Sequence, residues 1–139
     1  MTPRPAIIIT REDQERLLAL LENPAAFGGP EGRTLHDLEE ELDRAEIVEP
    51  ERTPPDVVTM NSSLRIRDLD TGEERVCRIV FPSQKRSSEE DISILAPLGV
   101  ALLGNRCGNV VEWRVPKGLR RLKIIEILHQ PEAARMARA

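Results

Sequence analysis

From Thr10 onward the hydrophobic positions recur every three or four residues. Thr10-Arg11-Glu12-Asp13 sets a hydroxyl three places ahead of an acid, the form of a capped helix start. Leu17, Leu18 and Leu21 then make an apolar stripe, with Leu20 beside it. The helix is expected to stop near Asn23-Pro24, and Ala25 to Gly32, with two adjacent glycines and a proline, to form the tip loop. A second start follows at Thr34-Leu35-His36-Asp37. Its apolar positions Leu35, Leu38, Leu42 and Ala45 hold one narrow stripe toward a partner. Two capped helices and a short turn predict an antiparallel helical hairpin, a short coiled coil, over residues 1–50.

Pro50, Pro54 and Pro55 punctuate the next stretch, and residues 51–55 read as a stiff Pro-rich linker. Beyond it the period falls to two. Val57 to Met60 and Leu64 to Arg67 read as strands, Asp70-Thr71-Gly72 as a turn, and Val76 to Phe81 as the returning strand. Ser83 to Glu90 is a polar loop, and Ile92 to Leu95 a short strand. Pro97 opens a short helix whose apolar face is Leu98, Ala101, Leu102 and Leu103, with Gly104 closing it. Val110 to Val115 alternates, Pro116-Lys117-Gly118 turns, and Leu119 to Leu128 is the last strand. The prediction is an α+β chain: the hairpin, then over residues 56–130 an antiparallel sheet of about five strands curled over one short helix, without βαβ crossovers. An Ala/Arg-rich tail at 131–139 is expected to fray.

Charge sharpens this division. Residues 1–50 carry five Arg against twelve acids, −7, and the remaining residues carry +3, which together give the net −4 of the chain. The acidic run Glu39-Glu40-Glu41 with Asp43 lies largely off the stripe, either as a solvated face or as a docking surface for a basic partner. Aromatic residues are only 2%, two Phe and one Trp, which argues against a base-stacking platform or an aromatic-walled pocket. The longest weakly polar stretch, Ile94 to Gly104, is too short for a bilayer, which needs about 20 apolar residues. No signal peptide is evident at Met1–Thr10, so a cytoplasmic location is expected.

Candidate chemistry is sparse. Cys77 and Cys107 are expected to be small buried hydrophobes, and around His36 and His129 the sequence sets no Cys, His or carboxylate at metal-ligand spacing, so no metal or cofactor is expected. Gly28-Gly29-Pro30 is too short for a phosphate loop, and no nucleophile elbow or catalytic carboxylate pair appears. Arg114, Lys117, Arg120, Arg121 and Lys123 cluster on the final hairpin without aromatic interleaving, which favours a solvated or protein-docking edge over a specific nucleic-acid site. These features describe a binding module rather than an enzyme.

The run Ile92-Ser93-Ile94-Leu95-Ala96-Pro97-Leu98-Gly99-Val100-Ala101-Leu102-Leu103-Gly104, closing with Gly108-Asn109, resembles the C-terminal signature of the Gre transcription factors. Asp56 to Ser62, the short hairpin and the Ala96-Pro97 form of the motif resemble the branch named as regulators of nucleoside diphosphate kinase. The resemblance implies an FKBP-like C-terminal domain and docking on bacterial RNA polymerase at the rim of its secondary channel. It implies no cofactor. The rim contact of the family falls on Leu95, Ala96, Pro97 and Leu98, where Leu95-Ala96-Pro97 stands in place of the Asp-Ser-Pro of some members. The family's cleavage-stimulating members carry acidic residues at the hairpin tip, and here the tip candidates are Glu22, Asn23 and Glu31, without a clustered pair. The expectation is a polymerase-binding regulator that does not stimulate transcript cleavage, competes with Gre factors and affects the kinase indirectly through expression. Direct binding to the kinase is one alternative. Prolyl isomerisation is another, with only Trp113 and Phe81 to wall its pocket.

Overall fold

The computed structural model describes residues 6–22, 32–86 and 88–138. The N-terminal part opens on strand β1 (Ile8–Thr10), which runs directly into helix α1 (Arg11–Leu21). Thr10 caps that helix as its sequence suggests, its side-chain oxygen accepting the Asp13 N–H at 3.1 Å. Helix α2 (Gly32–Arg44) follows, then strand β2 (Glu46–Val48), which pairs parallel with β1 in the register Ile8↔Glu46 and Thr10↔Val48. β1, the two helices and β2 thus form a parallel crossover in the N-terminal part, two strands that the expectation of a helical hairpin alone does not include. Helix α2 begins two residues before the Thr34 start that its hydroxyl-acid spacing suggests. The helix stop at Asn23-Pro24 and the tip loop from Ala25 lie outside the described residues.

The second part is a five-stranded sheet made of β3 (Ser63–Asp68), β4 (Glu74–Val80), β5 (Asp91–Ser93), β6 (Val110–Val115) and β7 (Gly118–His129). Its order is β5-β4-β3-β7-β6. All pairs are antiparallel except β4 with β5, a second departure from the antiparallel expectation. The β3–β4 turn places Gly72 at φ +78, a conformation glycine adopts at no steric cost. Helix α3 (Pro97–Leu102) packs between this sheet and α2.

Val57 to Met60 is not a strand. All four residues are buried, but their backbone groups go to loops and side chains: Val58 N–H donates to the Asn105 carbonyl at 2.9 Å, Thr59 N–H to the Ser62 hydroxyl at 2.9 Å, and Met60 N–H to Asp13 Oδ2 at 3.1 Å. The tail does not fray either. Pro131–Arg138 is helix α4. The buried Gln130 tethers it, donating from Nε2 to the carbonyls of Pro54 and Val57 at 2.8 Å each and accepting the Ala133 N–H at 3.2 Å. Glu132 is also buried and accepts the Thr59 hydroxyl at 2.6 Å.

One hydrophobic core spans both parts of the chain. Ile7, Ile9, Leu17, Leu38 and Leu42 pack with Val58, Met60, Leu64, Ile79, Leu102 and Ile124. Leu18, expected on the stripe of α1, is instead 44% exposed. Cys77 is buried as expected, but Cys107 is exposed, its thiol lying 3.1 Å from the Ile125 carbonyl.

Candidate interface at the strand-to-helix corner

The segment Leu95–Leu98 turns the chain from β5 into α3. Ser93 shapes the corner, its hydroxyl accepting the Leu95 N–H at 3.1 Å and its carbonyl the Ala96 N–H at 2.9 Å. Ala96 takes the N-cap position without a side-chain cap, and Pro97 follows as the first helical residue. Gly99 is required here by close approach, because a Cβ at that position would stand 2.5 Å from the Ser93 carbonyl oxygen. Pro97 is exposed and Leu95 and Ala96 are half-buried, whereas Leu98 is buried at 6%. Three of the four expected contact residues thus reach the surface, and Leu98 serves the corner from beneath.

Two open grooves flank it. The smaller, about 460 Å³, is lined by Ala96, Pro97, Leu98 and Trp113 together with the charged Arg75, Lys85 and Glu89. The larger, about 700 Å³, has Ile66, Leu98, Trp113, Val115 and Leu122 among its lining residues. Arg75, Leu98 and Trp113 belong to both. The Trp113 Nε1 is buried and has no hydrogen-bond partner among the described residues.

Asp91, which lines the smaller groove, anchors the loop before β5. Its side chain is fully buried and accepts from Arg86 Nε and Nη2 at 3.0 and 2.9 Å, from the Arg86 N–H at 2.9 Å, and from Arg78 Nε and Nη2 at 3.3 and 3.2 Å. The Arg86 side chain, the Arg86 N–H and then Arg78 hold the Asp91 carboxyl well below the usual carboxylate range. Along the sequence nothing sets this residue apart from the polar loop it follows.

The acidic face needs one correction. Glu39, Glu40 and Asp43 are exposed on α2, but Glu41 is 6% exposed and ion-paired to Arg44 at 2.6 Å. Glu41 lies three residues after Leu38 and four before Ala45, so helical geometry turns it toward the stripe. At the tip, Glu22 is exposed at the end of α1, and Asn23 and Glu31 lie outside the described residues. On the last hairpin Arg120 pairs with Asp68 at 2.7 Å and Arg121 with Asp70 at 3.5 Å, so part of that basic cluster is neutralised within the chain. Among the described residues no group of three or more His, Cys, Asp or Glu could hold a metal ion, and no helix is long and apolar enough to cross a membrane.

Two family models match the chain: the C-terminal model of the GreA/GreB transcription elongation factors over residues 53–129, and the Rnk N-terminus over residues 5–48. The chain is 46% identical over 132 residues to the regulator of nucleoside diphosphate kinase of Escherichia coli K12, covering 94% of this chain and 95% of that one. It is 33% identical over 129 residues to the transcription elongation factor GreA of Azorhizobium caulinodans, covering 89% and 82%. Among solved structures, a prokaryotic transcription elongation factor GreA/GreB from Nitrosomonas europaea matches with a TM-score of 0.74 and 45% identity, over 91% of this chain and all of that one. The corner, its grooves and the sheet that carries them all fall within the matched C-terminal region, and the chain belongs to the GreA/GreB family of transcription factors, with the regulators of nucleoside diphosphate kinase among its relatives.

Proposed function

We propose that this protein docks on bacterial RNA polymerase through the Leu95–Leu98 corner, at the rim of the secondary channel, and regulates transcription there without stimulating transcript cleavage. The observation that carries the reading is the corner itself: a proline-fixed turn with exposed Pro97, beside two grooves that share Arg75, Leu98 and Trp113. An apolar centre with a charged rim suits a protein partner. The sheet curled over α3 serves as an FKBP-like platform, and residues 1–50 as a short coiled coil entering the channel mouth. Helices of 11 and 13 residues reach about 16–20 Å at 1.5 Å per residue. Along the sequence the tip offers Glu22 and Glu31, nine positions apart, and not the clustered carboxylate pair that a shared Mg²⁺ would need. Any effect on nucleoside diphosphate kinase, after which the Escherichia coli relative is named, then follows from expression in the cytoplasm and not from contact with the kinase.

Binding titrations of core polymerase test the docking. Ala96→Asp or Leu95→Arg should weaken binding roughly thirtyfold, as for disruption of a central interface residue costing about 2 kcal/mol, with unchanged melting. Wild-type affinity in these variants would remove the corner as the interface. Loss of binding on reversing Glu39, Glu40 and Asp43 instead would move it to α2. Backtracked elongation complexes should shorten their RNA no faster with this protein and Mg²⁺ than with buffer.

A further inference from the structure

The geometry points to Gly104 as the positioning residue that fixes the direction of the helical hairpin relative to the docking corner. The structural half of this inference rests on packing alone, and its functional half rests on the polymerase reading above. Helix α3 is six residues long, so the corner at its start and the chain at its end are about 9 Å apart. Just past its C-cap, Leu103, Gly104 takes φ +80 and meets β1. The Ile8 N–H donates to the Gly104 carbonyl at 3.1 Å, and the Gly104 N–H donates to the Val58 carbonyl at 2.8 Å. A Cβ at position 104 would stand 2.7 Å from Ile7 Cβ, 3.1 Å from Ile8 O and 3.2 Å from Ile8 N. These are atoms of the backbone or next to it, so no rotamer change makes room. Any side chain at 104 has to force β1 and the end of α3 apart.

Moving β1 moves the hairpin, because both of its legs spring from the β1–β2 ribbon. Thr10, the last residue of β1, caps α1, and a single residue, Ala45, separates α2 from β2. Farther up, the hairpin is held by other bonds: Asp13 Oδ2 accepts the Met60 N–H at 3.1 Å, and the Arg16 guanidinium lies 4.1 Å from the centre of the Phe81 ring. A side chain at 104 therefore displaces the base while these contacts hold α1, and the hairpin tilts. With glycine there, docking at one end of α3 aims the hairpin rooted at the other.

Spin labels at the exposed native Cys107 and at Arg33→Cys on α2 test this in the full chain; the buried Cys77, its thiol pushed up to about 11 by burial, stays unlabelled. The chain with native Gly104 should give one narrow distance distribution. Adding Gly104→Ala should displace the mean by about 2 Å or double the width, since a packed seam shifts as a unit instead of yielding locally. A broad or multi-peaked distribution with native Gly104, readable even if the Ala variant misfolds, overturns the assignment. So does an unchanged distribution in folded Gly104→Ala. On polymerase, Gly104→Ala should bind within about threefold of wild type, because the corner is intact, yet lose about tenfold in cross-linking from a photoreactive group at position 33. Equal cross-linking overturns the positioning role. Failure of the native chain to bind polymerase overturns the docking reading, and the distance measurement then decides Gly104 independently.

Discussion

The carboxyl group of Asp13 is buried where α1 meets the turn at residues 59–62, and replacing it with Asn measures what that burial costs. Burial pushes its pKa from 3.8 up to about 6; the Met60 N–H and Arg16 oppose the rise, while Glu132 and Glu12 add to it. The folded state therefore holds a proton that the unfolded chain releases near 3.8. Between those values the native state binds more protons, so stability falls as pH rises. The stabilising contribution is complete below 3.8 and gone above about 6. At about 1.4 kcal/mol per tenfold in proton affinity, the ionised form costs about 3 kcal/mol at neutral pH. Asn keeps an oxygen for the Met60 N–H and carries no charge. Asp13→Asn should be more stable than wild type by about 1–3 kcal/mol near pH 7.5 and equal to it near pH 4. Urea unfolding followed by circular dichroism in steps between these values reads the effect directly. Asp68 and Asp91 do not obscure it, because their carboxyls are held low and their contributions are lost only as the solution becomes more acid than 3.8. Parallel stability curves for the two proteins, or a less stable Asn variant at pH 7.5, would show that Asp13 is comfortably ionised and that its burial carries no such cost.

Two further perturbations follow from the packing. Leu38→Ala removes a 1% exposed side chain from the core shared by both parts, and should cost about 2–5 kcal/mol in chemical denaturation; a loss well under 1 kcal/mol would mean that α2 is not docked on that core. Asp91→Asn takes the charge from the centre of the Arg78–Arg86 clamp and should cost about 2 kcal/mol, with faster exchange at the Arg86 amide, which donates to Asp91, and at the Arg78 amide, which donates to the Glu90 carbonyl, and little change in α1; protection unchanged at those amides would mean that the clamp does not hold the loop.

The hairpin is legible in the sequence because its stripe follows local rules, and it misleads where one member of the stripe is not apolar. On α1 the inward positions are Asp13, Leu17 and, partly, Leu20 and Leu21, spaced as a helix requires. A reading that admits only hydrophobic residues drops Asp13 and fills the stripe with Leu18, which points out. On α2 the same rule places Glu41 beside Leu38 and Leu42. The β1–β2 ribbon escapes notice for another reason. Ile8–Thr10 is three residues long and its partner stands beyond two helices, so neither strand carries a period of its own. Val57 to Met60 has strand composition because it is buried, but its backbone is satisfied by Asn105, Ser62 and Asp13, which no local pattern announces.

The corner is legible for the opposite reason: a proline at the first helical position and a glycine just past the end are local signals, and both stand where the sequence puts them. What makes the corner a surface is not local. Its grooves bring Trp113 from β6 beside Leu98, and Asp91, which lines the smaller one, gathers Arg78 from β4 and Arg86 from the loop. The corner's own shape hangs on Ser93, through one hydroxyl and one carbonyl. Ser93→Ala separates these two levels. It keeps the carbonyl bond to the Ala96 N–H and leaves the half-buried Leu95 N–H without its acceptor, a loss of about 1 kcal/mol, typical of one neutral hydrogen bond. If the corner docks as a preformed turn, that small change in stability should accompany a larger proportional loss of polymerase affinity, because the freed Leu95 must be ordered again on binding. A variant that loses stability and keeps full affinity would mean that the partner reads the groove walls and not the turn between them.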